Sequence, residues 1–148
     1  MRGVFLVALC LGGCHAPDLP DYWLCQGLSQ QNVLSSSGRV IERYAGQEPL
    51  ILERYGNSVF EFSAPAMFGL FVVCNDDSKE LVFRAADCSQ SRESLQYREG
   101  KLNLDTNSLH YTDRRSLPGK VVNTVADYQC HYLGHAYTFK DLEEADAH

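Results

Sequence analysis

The sequence predicts an all-β fold: a single antiparallel β-sandwich or small barrel, stapled by disulfides. Three observations predict it. β-branched and aromatic residues recur in short alternating runs divided by polar turns. Helical periodicity is almost absent. An even set of four cysteines remains in the body of the chain once the two near its start are set aside.

The elements follow in order. Residues 22–25 open the domain, and strand-sized runs follow at 39–44 and 50–55. Gly56 and Asn57 then turn the chain into the alternating run 58–62, a hairpin by its turn chemistry. Residues 70–74 and 80–84 flank the polar turn 75–79 and make a second hairpin. A third is expected from 94–98 and 102–104, turning at Glu99, Gly100 and Lys101. Residues 105–107 lead into a strand at 108–112, and the last strand runs from 121 to 133, with a break or bulge at Ala126 and Asp127. A helical turn is expected only in 86–93 or in the acidic tail. One β domain over 21–140 and an acidic tail over 141–148 complete the division.

The start of the chain has a different character. Met1 and Arg2 precede an apolar run over 3–11, which ends at Gly12, Gly13 and Cys14. A positive start, a short apolar stretch and small residues before a cut are the parts of a secretory signal. The apolar run is too short to span a bilayer, which takes about 20 residues. Leu11-Gly12-Gly13-Cys14 resembles the bacterial lipobox. That resemblance implies a signal peptide over 1–13, diacylglycerol on the Cys14 thiol, and a lipidated spacer over 14–20. It places the protein in the periplasm, anchored to a membrane by lipid. His15 rather than Asp after the cysteine favours the outer membrane.

Charge and cysteine use fit that compartment. The net charge of −6 disfavours nucleic acid and anionic lipid head groups, and suits a basic protein partner. Cys25, Cys74, Cys88 and Cys130 form an even set, which in an exported chain reads as two disulfides with three possible pairings. Cys25–Cys130 and Cys74–Cys88 is preferred, because the second bond brackets a hairpin and the first joins the two ends of the domain. No Cys-x-x-Cys motif suggests zinc or redox chemistry.

Three features bear on catalysis. Ser35, Ser36 and Ser37 offer hydroxyls, but without a Gly-x-Ser-x-Gly elbow or a nearby His they read as a polar turn. His131 and His135 share a strand face and His110 stands on an earlier strand, yet no carboxylate or cysteine lies at recognised ligand spacing. Glu42, Glu53 and Glu61 alternate with apolar residues and are expected on the solvent face, opposite Arg43, Arg54 and Arg84. The expectation is therefore a binding protein, not an enzyme, with no cofactor and no metal. Its contacts are assigned to two loops: Ser35, Ser36 and Ser37, rich in hydrogen-bonding groups, and Asn75, Asp76 and Asp77, whose carboxylates suit a basic groove. A stapled β scaffold holds such loops with little ordering entropy left to lose on binding.

A lipobox cysteine, a short spacer, Trp23-Leu24-Cys25-Gln26-Gly27 at the start of the fold and Tyr128-Gln129-Cys130 near its end together resemble periplasmic lysozyme-inhibitor lipoproteins. They resemble equally the immunity lipoproteins that guard against type VI secreted peptidoglycan muramidases. The similarity covers the layout and the cysteine-bearing ends, and the middle of the chain carries no diagnostic motif. It implies a lipoprotein that plugs the glycan cleft of a wall-degrading enzyme. The loop Ser and Lys residues of the membrane-bound lysozyme inhibitors have only weak counterparts here, in Ser35–Ser37 and Pro118-Gly119-Lys120. That departure favours immunity against a secreted effector. An envelope assembly or scaffold lipoprotein with a resident partner is the alternative.

Overall fold

A computed structural model describes residues 19–47, 49–63 and 66–136. The signal segment 1–13, the lipidation site Cys14, most of the spacer 14–20 and the acidic tail 141–148 lie outside the described residues. Nine strands follow one another with no helix between them among the described residues. They are β1 (Asp21–Ser35), β2 (Val40–Gly46), β3 (Leu50–Tyr55), β4 (Ser58–Ser63), β5 (Ala66–Asp76), β6 (Glu80–Arg84), β7 (Gln96–Asn103), β8 (Ser108–Leu117) and β9 (Lys120–Gly134).

Every strand pairs antiparallel with its neighbours, and β1 returns to pair with β9 along nearly its whole length, from Tyr22↔Gly134 to Ser35↔Lys120. That pairing closes an eight-stranded antiparallel barrel, so the choice between sandwich and barrel falls to the barrel. The other edge of β1 is divided. Its first residues, Asp21 to Cys25, pair with β3 and complete the ring. From Ser29 to Leu34 it pairs instead with β2, which has no second neighbour among the described residues and stands as an edge strand.

Strand directions alternate, so the barrel has two distinct ends. One carries the start of β1, the turns at Gly56-Asn57, 77–79 and 104–107, and the end of β9. The other carries the β1–β2 turn, the 85–95 connection and the Pro118-Gly119 turn. Gly56, Asn107 and Gly119 adopt the left-handed backbone that tight turns require.

The period-two pattern sends one set of side chains inward. Trp23, Leu52, Val59, Phe71, Leu81, Phe83, Leu102 and Leu109 form a single buried core with the Cys25–Cys130 disulfide. Phe71 meets Phe83 edge-on at 5.2 Å between ring centroids. Each such side chain stabilises the fold by about 1.5–3 kcal/mol through the area it removes from water. The disulfides pair as the spacing suggested: Cys25–Cys130 bridges β1 and β9 where they pair, and Cys74–Cys88 ties β5 to the loop after β6.

Three local expectations are corrected. Glu99, Gly100 and Lys101 are not a turn but the middle of β7, paired residue for residue with both β6 and β8. Gly100 is there because the Phe83 ring lies over it, and a Cβ would stand 2.2 Å from the ring's Cζ. β9 runs without a register shift through Ala126 and Asp127, since Ala126 packs into the core. Residues 86–93 form irregular turns, not a helical one, held by the Cys74–Cys88 bond and by Arg84, which donates to the Cys88 carbonyl at 2.5 Å.

Candidate functional site

The barrel interior changes chemistry along its axis. Towards the end that carries Asp21 it is apolar and filled. Towards the other end, inward positions on the long strands become polar and line an open mouth of about 330 Å³. Glu61 enters it from β4, beside a register shift between Glu61 and Phe62. β8 contributes Tyr111, Asp113 and Arg115 at alternate positions, the face that begins with the buried Leu109. Ser29 comes from β1, Thr124 and Tyr128 from β9, and Tyr44 from β2 completes the wall.

Arg98 organises this mouth. Its guanidinium lies over the Phe71 ring at 5.0 Å and passes so close to Gly69 that a Cβ there would meet Nη1 at 2.8 Å. Its Nε donates to the Tyr111 hydroxyl at 3.0 Å, and Nη2 stands 3.4 Å from Glu61 Oε2. Asp113 Oδ2 lies 3.7 Å from Arg98 Nε and 3.1 Å from Arg115 Nη2. Asp113 is 5% exposed and Glu61 7%. The other oxygen of Asp113, Oδ1, is buried without a hydrogen-bond partner among the described residues.

The electrostatics follow from this burial. Desolvation pushes the Glu61 carboxyl up, with the Arg98 charge opposing it. Asp113 is likewise raised by burial, against the pull of Arg115 and Arg98. Burial raises the Tyr111 phenol as well, so it stays protonated. Arg98 is held charged: desolvation works against it, but Tyr111, Glu61 and Asp113 prevail. Glu61 is thus a buried ion-pair partner and not the solvent-facing residue expected from alternation. Glu42 is exposed, and Glu53 is partly buried on β3. Arg54 pairs with Asp76, and Arg84 with Glu99 at 2.8 Å.

The two loops singled out from the sequence sit at opposite ends of the barrel. Ser35, Ser36 and Ser37 belong to the β1–β2 turn beyond the mouth, where Ser35 and Ser37 hydroxyls meet at 2.8 Å and Ser35 accepts from the Arg39 amide at 3.1 Å. Asn75, Asp76 and Asp77 lie at the far end. Asp77 accepts from the amides of Lys79 and Glu80 at 2.8 and 2.9 Å, which holds its carboxyl below the usual range, and Asp76 is engaged by Arg54.

The histidines do not converge. His110 stands 2.7 Å from Asp127, His135 donates to the Pro20 carbonyl at 2.9 Å, and His131 is exposed. Among the described residues no group of three His, Cys, Asp or Glu could hold a metal ion. Two carboxylates do converge, Glu61 and Asp113, but Arg98 is the shared ion-pair partner of both. On the outer face a groove of about 460 Å³ surrounds Glu99, whose carboxylate is already engaged by Arg84, Arg92 and Lys101. That cluster pins the 85–95 connection to the barrel.

No family model matches the chain, no curated protein is significantly similar to it, and no solved structure matches it. The likeness to lysozyme-inhibitor and immunity lipoproteins therefore rests on the residues that carry it.

Proposed function

We propose that this protein is a non-catalytic periplasmic lipoprotein, tethered through Cys14, that binds and blocks a cell-wall-degrading enzyme. The enzyme class is a peptidoglycan muramidase delivered by a competing cell, which makes the protein an immunity factor. One observation carries the reading. Among the described residues β2 is an edge strand exposed along most of its length, and near the β1–β2 turn it presents Ile41 at 57% exposure. An edge strand presents a row of backbone groups with which an extended segment of another chain can pair.

The layout of the barrel suits a tethered inhibitor. Asp21 begins β1 at the end opposite the β1–β2 hairpin. A spacer of some six residues reaches about 20 Å when extended, so lipid on Cys14 would leave the hairpin pointing away from the membrane. Tethering raises the local concentration of inhibitor where a wall hydrolase must act. The absence of catalysis is supported by commitments of the candidate groups: Glu61 and Asp113 to Arg98, and Ser35 to Ser37 and Arg39.

The test uses the full chain as bait against periplasm and against the secreted fraction of a competing strain. Capture of a peptidoglycan hydrolase that loses activity in the complex is the expected result. Ile41→Asp, which places a charge at the turn end of the exposed edge, should weaken inhibition by about 30-fold, the loss typical of one interface hot spot, with no change in Tm. Capture of resident envelope components alone would replace this reading with an assembly or scaffold role.

A further inference from the structure

We infer that the polar mouth of the barrel is a binding site for a short neutral saccharide. This site uses the inward-facing Tyr44 of β2 rather than Ile41 near the β1–β2 turn, and it does not depend on the inhibitor reading.

Three properties of the mouth select the ligand. The first is charge. Glu61 and Asp113 face Arg98 and Arg115, so the formal charges cancel. A cation entering would meet the two guanidiniums, and an anion the two carboxylates. The second is the Asp113 Oδ1 acceptor, buried and unpartnered within this lining. A buried carboxylate oxygen without a donor is costly, and an apolar ligand would leave it so. The third is the rest of the wall, where the Ser29 hydroxyl, which donates to the Gly46 carbonyl, and the Thr124 hydroxyl, which accepts from the Gln31 amide, keep further hydrogen-bonding capacity, and Tyr44 supplies an aromatic face. A neutral ligand that both donates and accepts at many positions fits all three.

Sugars have that character. A hydroxyl or acetamido N–H can donate to Asp113 Oδ1 once the carboxylate turns toward the mouth, since that oxygen is covered in the free protein. Arg115, with more than half its side chain exposed and Asp113 as its one ion-pair partner among the described residues, has N–H groups left for a sugar oxygen. The Tyr44 ring offers a flat apolar surface to the C–H face of a pyranose. The mouth, at about 330 Å³, sits at the small end of ligand sites and shares Gln31, Tyr44 and Arg115 with a neighbouring space of about 350 Å³. A chain of sugar rings could continue outward without strain on the barrel.

The experiment is a titration of the full chain, purified in detergent, with N-acetylglucosamine trimer, followed by amide chemical shifts and by calorimetry. Saturable shifts confined to the mouth strands around Ser29, Asp113 and Thr124 are expected, with affinity in the range of about 0.1–1 mM. Asp113→Asn should weaken binding by about tenfold or more, since it replaces a charged acceptor. If Asp113→Asn fails to fold, Tyr44→Ala tests the same wall from an exposed position and should weaken binding several-fold at unchanged Tm. Ile41→Asp should leave saccharide binding unaltered, so the two proposals fail separately. Cellotriose in place of the acetamido sugar tells a general saccharide site from one that reads the N-acetyl group, and binding of either supports the inference. Absence of saturable shifts at about 10 mM of both sugars, binding indifferent to Asp113→Asn and Tyr44→Ala, or tighter binding of acetylarginine amide or acetate would overturn it.

Discussion

Gly100→Ala is the substitution on which sequence and structure disagree in sign. If Gly100 lay in an exposed turn with ordinary backbone, alanine would stabilise the protein by about 0.4–1 kcal/mol by restricting the unfolded chain. In the barrel, the new Cβ would stand 2.2 Å from Phe83 Cζ and 2.3 Å from Cε2. The ring cannot swing aside cheaply, because Phe83 is wholly buried and packs edge-on against Phe71. Overpacking of a tight core costs about 1–3 kcal/mol, and here the upper end applies. At roughly 4 °C per kcal/mol for a domain of this size, Tm should fall by about 12 °C. Phe83→Leu alone should cost about 1–2 kcal/mol by leaving a cavity, yet in the Gly100→Ala background it should relieve the clash. Urea denaturation of the four proteins in the cycle should give a coupling of about 1–2 kcal/mol, the double variant being more stable than the sum of the singles. A neutral Gly100→Ala, or strictly additive variants, would falsify the placement of Phe83 over Gly100.

Two further predictions concern the staples and the mouth. Replacing both Cys25 and Cys130 by Ala opens a loop spanning 105 residues and should lower stability by about 4–5 kcal/mol. The Cys74–Cys88 bond closes only 14 and should be worth about 3, an order readable from guanidinium midpoints; equal losses would refute it. For pH, Glu61 and Asp113 are raised by burial, so the native state holds their protons more tightly than the unfolded chain does. Their contribution is fully present below the ordinary carboxylate range and is lost as pH rises through the raised values, opposite in sign to Glu99, whose carboxyl is lowered on balance. Glu61→Gln removes one of these groups, so its stability relative to the unsubstituted chain should improve as pH rises from about 4 to 8. Parallel urea midpoints for the two proteins across that range would sink the assignment.

The fold was legible where local chemistry and tertiary demand agree. Gly56-Asn57 has turn chemistry and makes a turn, and Cys74 and Cys88 flank a hairpin and are bonded across it. Legibility failed where a distant residue decided the matter. Glu-Gly-Lys at 99–101 reads as a turn, but a glycine in mid-strand was demanded by a ring on the neighbouring strand. The mouth was missed for two reasons. In 58–62 the phenylalanines suggested the inward face, whereas Val59 and Glu61 point inward and Val59 is the residue that packs against the core. At 113–116 a polar run suggested that the strand had ended, whereas β8 continues to Leu117. One signal was present: Leu109, Tyr111, Asp113 and Arg115 share a parity, so a buried Leu109 puts two charges on the interior side.

Strand lengths explain why those charges are tolerable. β6 has five residues, whereas β1 and β9 have fifteen each, so only part of the long strands is needed to close the ring. The surplus of β1, β9 and β8 continues past the apolar core and, with β2 added to the freed edge of β1, builds a wall around a half-open cup. Inward positions in that overrun line an open mouth, so Arg115 keeps more than half its side chain in solvent, while the buried Asp113 and Glu61 must pair with Arg98 and Arg115. The same overrun creates the unpaired edge of β2. Shortening β1 and β9 to match β6 would remove mouth and edge together and leave the stapled core. The part of the sequence that the barrel does not need is thus the part that carries both proposed sites, and variation confined to it can change what is bound without unfolding what holds it.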